Sequence, residues 1–263
     1  MKQPRRIALK AFCTLIALLL VAPVLVVVPM AFTSSRTFQF PPPGFSTQWF
    51  SELFSDPAWT DSFVLSLKVA GVVVVLATSL GTLGAFALVR GRGRWTTPVS
   101  AFLMAPMIVP GVITAIGVYY VFLKWHLAGS FTGFVVAHTA LAIPMVVIPV
   151  RASLQGFDRR LERAAASLGA GPVATFFHVT VPLLAPGILT GALFAFLVSW
   201  DEAIVSLFLA SPFSRTLPVQ LYQSVTSSLT PTIAAASTVI IAVSTTLLVV
   251  AGIIAVRREA KNA

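Results

Sequence analysis

The chain returns repeatedly to apolar stretches long enough to cross a bilayer. They run about Ala11 to Phe32, Asp61 to Val89, Pro98 to Leu123, Phe131 to Leu154, Val181 to Leu209 and Thr232 to Val256. A helix needs roughly 20 such residues to span the hydrocarbon core. Charged residues make up only 10% of the 263, well under half the roughly 25% usual in soluble domains. The expected fold is therefore an all-α membrane protein with six transmembrane helices. Met1 to Lys10 followed by Ala11 to Phe32 has the basic start and apolar body of a signal peptide. No small-x-small cleavage site closes it, so it is expected to stay as an uncleaved first span.

A net charge of +10 would suit a nucleic-acid partner, so the positions of the basic residues decide. Lys2, Arg5, Arg6, Lys10, then Arg90, Arg92, Arg94, then Arg151, Arg159, Arg160, Arg163, then Arg257, Arg258, Lys261 fall at alternate span ends. Arg36, Lys124 and Arg215 fall in the opposite loops, with Lys68 just inside a span. This asymmetry follows the positive-inside rule. It predicts a multi-pass membrane protein with both termini cytoplasmic, a lipid bilayer for partner and no nucleic acid.

Between the fourth and fifth stretches lies the densest charge, LQGFDRRLERAAASLGAGPVATFFHVTVPLLAPGI over residues 154–188. Asp158 to Leu168 reads as a short helix, with Asp158 accepting from free N–H groups at its start. Leu161, Ala164, Ala165 and Leu168 share one narrow face, suited to docking in a groove on another surface. Gly169 is placed to end the helix in a left-handed cap, and Gly171-Pro172 restarts the chain in a new direction.

Two alanines, a glycine four residues after the second, and a V-x-x-P-L-x-x-P-G-I run together resemble the EAA loop of ABC importer permeases. The matching positions are Ala164, Ala165, Gly169, Ala170, Val179, Pro182, Leu183, Pro186, Gly187 and Ile188. In that family the loop is the coupling helix that plugs into the ATPase subunit. The resemblance thus implies ATPase coupling through Leu161, Glu162, Arg163, Ala164, Ala165, Leu168 and Gly169. One departure matters: the family's Glu before the two alanines is Arg163 here, with Glu162 just before it. A salt bridge from that Glu to the ATPase therefore does not carry over.

The remaining segments fit this frame. Residues 33–60 form an external loop with Pro41, Pro42 and Pro43 and the aromatics Phe45, Trp49, Phe50 and Trp59, which suit the membrane interface. A short surface helix is expected around Thr47 to Phe54. Ala77, Gly81 and Ala85 at four-residue spacing allow a close helix approach. Pro106, Pro110, Gly111 and Gly117 interrupt the third stretch, which either lines a pathway or is kinked for packing. The expected divisions are 1–60, first helix and external loop; 61–256, permease core; 257–263, cytoplasmic tail.

The fifth stretch carries Trp200-Asp201-Glu202, whose two acids are the only ones read as buried in any span. A carboxylate at membrane depth is disfavoured by about 2.5 to 3.5 kcal/mol on insertion scales, which makes the pair functional candidates. Neighbouring helix positions diverge by roughly 100°, so one acid would face the pathway while the other packs or pairs. Asp201 is taken as the pathway residue and a cationic amine as the substrate. A purely structural role, fixing this helix against a partner subunit, stays open. Over nearly the whole chain, SWDEAIVSLFLASPFSRTLPVQLYQSV and LTPTIAAASTVII are similar to the second membrane subunit of spermidine/putrescine importers. The resemblance implies a type I ABC importer permease working with a related permease subunit, ABC ATPase subunits and a periplasmic or extracellular solute-binding protein.

No catalytic site is legible. There is no G-x-x-x-x-G-K-[ST] loop, so ATP is expected to be used by a separate ATPase and no cofactor is expected in this chain. Gly169, Gly171 and Ala174 match G-x-G-x-x-A, but a helix precedes them and no acid follows at about 20 residues. His126, His138 and His178 are isolated, with no H-E-x-x-H and no G-x-S-x-G elbow, which argues against an intramembrane enzyme. His178 is expected to bond a nearby carbonyl. A secondary transporter, or a permease for another small organic solute, is the alternative, but two related halves within one chain are not visible.

Overall fold

Helix accounts for nearly all the regular structure in the computed structural model, which describes residues 3–91 and 93–262. Lys2 and Arg92 lie outside the described residues. In order come α1 (Gln3–Ala31), α2 (Gln48–Ser55), α3 (Pro57–Arg90), α4 (Thr96–Ile108), α5 (Gly111–Lys124), α6 (Phe131–Gln155), α7 (Arg160–Ser167) and α8 (Pro172–Thr175). A π-helical turn, Phe176–Thr180, leads into α9 (Val181–Trp200), followed by α10 (Ile204–Leu209), α11 (Leu217–Ser227) and α12 (Thr232–Asn262). Five spans are continuous: Leu9–Ala31, Pro57–Arg90, Phe131–Gln155, Pro172–Trp200 and Thr232–Ile254. The sixth is the pair α4 and α5, bent by 104°.

That bend falls at one of the interruptions expected in the third stretch and corrects only its extent, which exceeds a kink. Pro110 has no N–H to give and pushes Val109 out of helical geometry, to ψ 130°. A second correction falls at the fifth stretch. It begins earlier than expected, at Pro172, and its helix stops at Trp200. Asp201 to Ala203 are therefore not on a helix face, and the chain resumes as α10. At the far end, α12 runs on to Asn262 without a break at 257.

Residues 1–60 with 220–245 form one unit, and 61–219 with 246–263 the other. In the first unit α2 is amphipathic, burying Trp49 and Leu53. The Trp49 indole N–H donates to the Thr33 carbonyl at 2.7 Å, and Thr232 donates its hydroxyl to Glu52 at 2.9 Å. Trp49 and Trp59 are buried within the protein, while Phe45 is exposed.

The second unit is built around α6. Its residues Phe134, Ala142, Val146, Val147 and Val150 are fully or almost fully buried with Val69, Val73, Ala77 and Ala85 of α3 and Leu184 and Ala195 of α9. A Cβ on Gly81 would come within 2.6 Å of Val146 Cβ, and one on Gly191 within 3.0 Å of Val146 Cα. Both helices therefore pass α6 at a distance only glycine permits, as the Ala77–Gly81–Ala85 spacing foretold.

Candidate functional site

Two regions of the second unit carry the chemistry singled out above. The first is the α7 hairpin. Asp158 Oδ1 accepts from the Arg160 N–H at 2.8 Å, so the helix proper starts two residues later than read from the sequence. At its other end Gly169 has φ +87°. The Ala170 N–H donates to the Ala165 carbonyl and the Gly169 N–H to Ala166, both at 3.0 Å, which is a Schellman cap. No atom lies within 4 Å of where a Gly169 Cβ would be, so backbone geometry alone asks for glycine.

Outside the bilayer-length helices, α7 leaves apolar surface uncovered: Leu161 is 45% and Leu168 89% exposed. Arg163 and Ala164 are exposed too, whereas Ala165 and Glu162 are half-buried. Glu162 turns inward. Its Oε1 accepts from the Arg90 guanidinium at 2.5 Å and from the Thr180 hydroxyl at 2.6 Å. Burial opposes its charge, yet these hydrogen bonds and the positive charges of Arg90 and Arg159 hold the carboxyl below its ordinary value of 4.5. Arg90 also lies over the Phe86 ring at 4.7 Å. Beyond the cap, His178 Nδ1 donates to the Ala174 carbonyl at 2.9 Å, as expected.

The second region is the break after α9. Glu202 accepts from the N–H groups of Val205 at 2.6 Å and Ile204 at 3.2 Å, which caps α10 with a charge at the positive end of its dipole. Asp201 is exposed, and its carboxylate has no hydrogen-bond partner among the described residues. Trp200 is 1% exposed, stacked on Phe196 and edge-on to Phe63, each at 5.7 Å. Trp200 therefore packs the end of α9 and does not reach the surface.

Sequence reasoning missed what pins this break. His138 of α6 is fully buried, with Nδ1 2.9 Å from Ser199 Oγ and Nε2 2.8 Å from Ser206 Oγ. One serine precedes the break and the other follows it. A hydroxyl both donates and accepts, so either tautomer of the ring is satisfied. Both serines are 60 or more residues from His138, and no local pattern joins them. Arg90 and Thr180 escaped notice for the same reason: the first had been counted only as a basic residue at a span end.

The chain as a whole is similar to known proteins. Residues 77–259 match the family model of the binding-protein-dependent transport system inner membrane component. The putrescine transport system permease protein PotI of Escherichia coli K12 is 33% identical over 229 residues, covering 84% of this chain and 81% of that one. The spermidine/putrescine transport system permease protein PotC of Haemophilus influenzae is 30% identical over 244 residues, 93% of this chain and 95% of its own. Among solved structures, a bacterial ABC transporter importing the acidic polysaccharide alginate superposes with TM-score 0.70 at 16% identity, covering 96% of this chain and 97% of that one. The MetNI methionine ABC transporter does so at 0.61 and 15%, covering 78% and 95%. Such low identities speak to the fold, which is that of type I ABC importer membrane subunits. By its sequence, this chain belongs to the family of binding-protein-dependent transport system inner membrane components.

Proposed function

We propose that this inner-membrane chain is the permease subunit of an ATP-driven importer of small amines of the putrescine and spermidine class. It works with a related permease, two ATPase subunits and a solute-binding protein, and both its termini are cytoplasmic. ATP is bound by the separate ATPase, and this chain holds no cofactor. The exposed edge of α7, Leu161 with Arg163, Ala164 and Leu168, forms the coupling surface, and half-buried Glu162 and Ala165 with the Gly169 cap hold it in place from within the chain. Two relatives above 30% or at 30% identity that are named for polyamine transport support the substrate class.

The observation that carries the pathway assignment is the division of labour between two adjacent acids. Glu202 is spent on capping α10, while the Asp201 carboxylate is left exposed. A single carboxylate attracts an ammonium group without binding it so tightly that transport stalls, as conduction requires. Trp200 supports that position from behind by packing.

Labelled putrescine uptake by Asp201→Asn, Glu202→Gln and wild type in the assembled complex tests this. Asp201→Asn should lose most uptake while the complex stays assembled and hydrolyses ATP. Glu202→Gln should weaken the α10 cap, at a cost of about 1 kcal/mol in stability. Disassembly of the Asp201→Asn complex would mean that the acid holds a subunit contact instead.

A further inference from the structure

Three separate stretches of the second unit meet at one carboxylate oxygen. Arg90 is the last residue of α3, Glu162 lies in the first turn of α7, and Thr180 closes the π-helical turn that leads into α9. Glu162 Oε1 takes a hydrogen bond from each of the other two, at 2.5 and 2.6 Å. A second strand of contacts runs beside it: Arg90 over Phe86, and Phe86 against Phe176 of the same π turn at a centroid distance of 5.5 Å. Both α3 and α9 are therefore tied to α7 by side chains 72 and 18 residues away in the chain.

We infer that Arg90, Glu162 and Thr180 form an internal clasp that carries displacement of α7 to α3 and α9, the two helices packed on α6. This rests on the reading of α7 as the ATPase-coupling helix and adds how the movement is passed on. Three points favour it. Glu162 is directed into its own chain, away from the exposed edge of Leu161 and Leu168. A guanidinium at a helix C-terminus already sits at the favourable end of the dipole, so α3 presents its charge to α7 at little ordering cost. A π turn is a marginally stable distortion of the helical ladder, found mostly at functional positions, and its closing residue is the one that Glu162 grips. α7 also packs on α8 and on the π turn, and the Arg90–Glu162 pair adds its side-chain tie to α3.

The three are positioning residues, and charge exchange tests them in the reconstituted complex. Arg90→Glu and Glu162→Arg alone should lower solute moved per ATP hydrolysed by about 2- to 30-fold. The double exchange should recover most of the loss, because the pair is restored in reverse. Arg90→Gln, Glu162→Gln and Thr180→Val should show the same direction more mildly. Co-purified ATPase should stay at wild-type level throughout. Melting of the detergent-solubilised chain provides a readout independent of transport: each single exchange should lower the midpoint and the double should regain it. Wild-type transport in every variant would overturn the clasp. So would loss of bound ATPase in Glu162→Arg that the double exchange leaves unrepaired, since Glu162 would then face the ATPase. If wild-type uptake itself ignores ATP, the importer reading falls, while the melting cycle still decides whether the clasp exists.

Discussion

At Gly169 the choice of residue is decided by one dihedral angle. With φ at +87° and open space around the missing Cβ, Gly169→Val should be strained and Gly169→Asn largely tolerated, since asparagine accepts the left-handed region. Uptake assays on the two variants check this, and equal loss would contradict it. Glu162 makes a prediction in pH. Its native carboxyl titrates below 4.5, so the stability it contributes is complete above that value and is lost as pH falls through the lowered one. The melting midpoint of wild type should exceed that of Glu162→Gln steadily at neutral pH, and the two should converge on acidification. A gap that widens in acid would reverse the sign of the argument. The glycine was legible in the sequence because a cap is a local device, fixed by residues within one turn. The Glu162 clasp and the His138 bridge were not, because their partners lie 72, 61 and 68 residues away. Nothing in a one-dimensional pattern selects those partners over other serines and arginines.

Among the elements, α7 has the plainest exposure of apolar surface outside the spans. Leu161→Asp would put a charge where the coupling surface is to be buried, and an unpaired buried charge costs several kcal/mol. ATPase co-purification and uptake should both drop well below wild type, while expression and membrane insertion persist; unchanged bound ATPase and uptake would remove α7 from the coupling contact. Four of the five continuous spans were read from hydropathy to within a few residues, α6 among them, because length and apolarity determine them. The fifth stretch, Val181 to Leu209 against Pro172–Trp200, was read nine residues too late at each end. Breaks were read less well. Pro110 announced an interruption but not its angle of 104°, which depends on how α4 and α5 pack. After Trp200 no proline or glycine marks the break. It arises because Glu202 caps a new helix and His138 grips a serine on each side, and both need the folded arrangement to be seen.

For the whole molecule, the six-span plan followed from apolar length, the α7 hairpin from its glycine and proline spacing, and the family from the resemblance of that loop to those of known permeases. What the sequence placed on one continuous fifth helix, the structure divides: an acid committed to capping and an acid left free. The molecule is thereby a scaffold in which glycine-mediated packing on α6 holds α3 and α9, and polar contacts at one end connect them to α7. Alternating access in such a scaffold requires an external source of energy that favours one arrangement over the other. The most direct test reconstitutes the chain in proteoliposomes with its companion permease, ATPase and solute-binding protein and follows labelled putrescine. Accumulation that requires both ATP and the binding protein, and stops when the ATPase is left out, is the predicted result. Accumulation driven by an ion gradient without ATP would contradict the account.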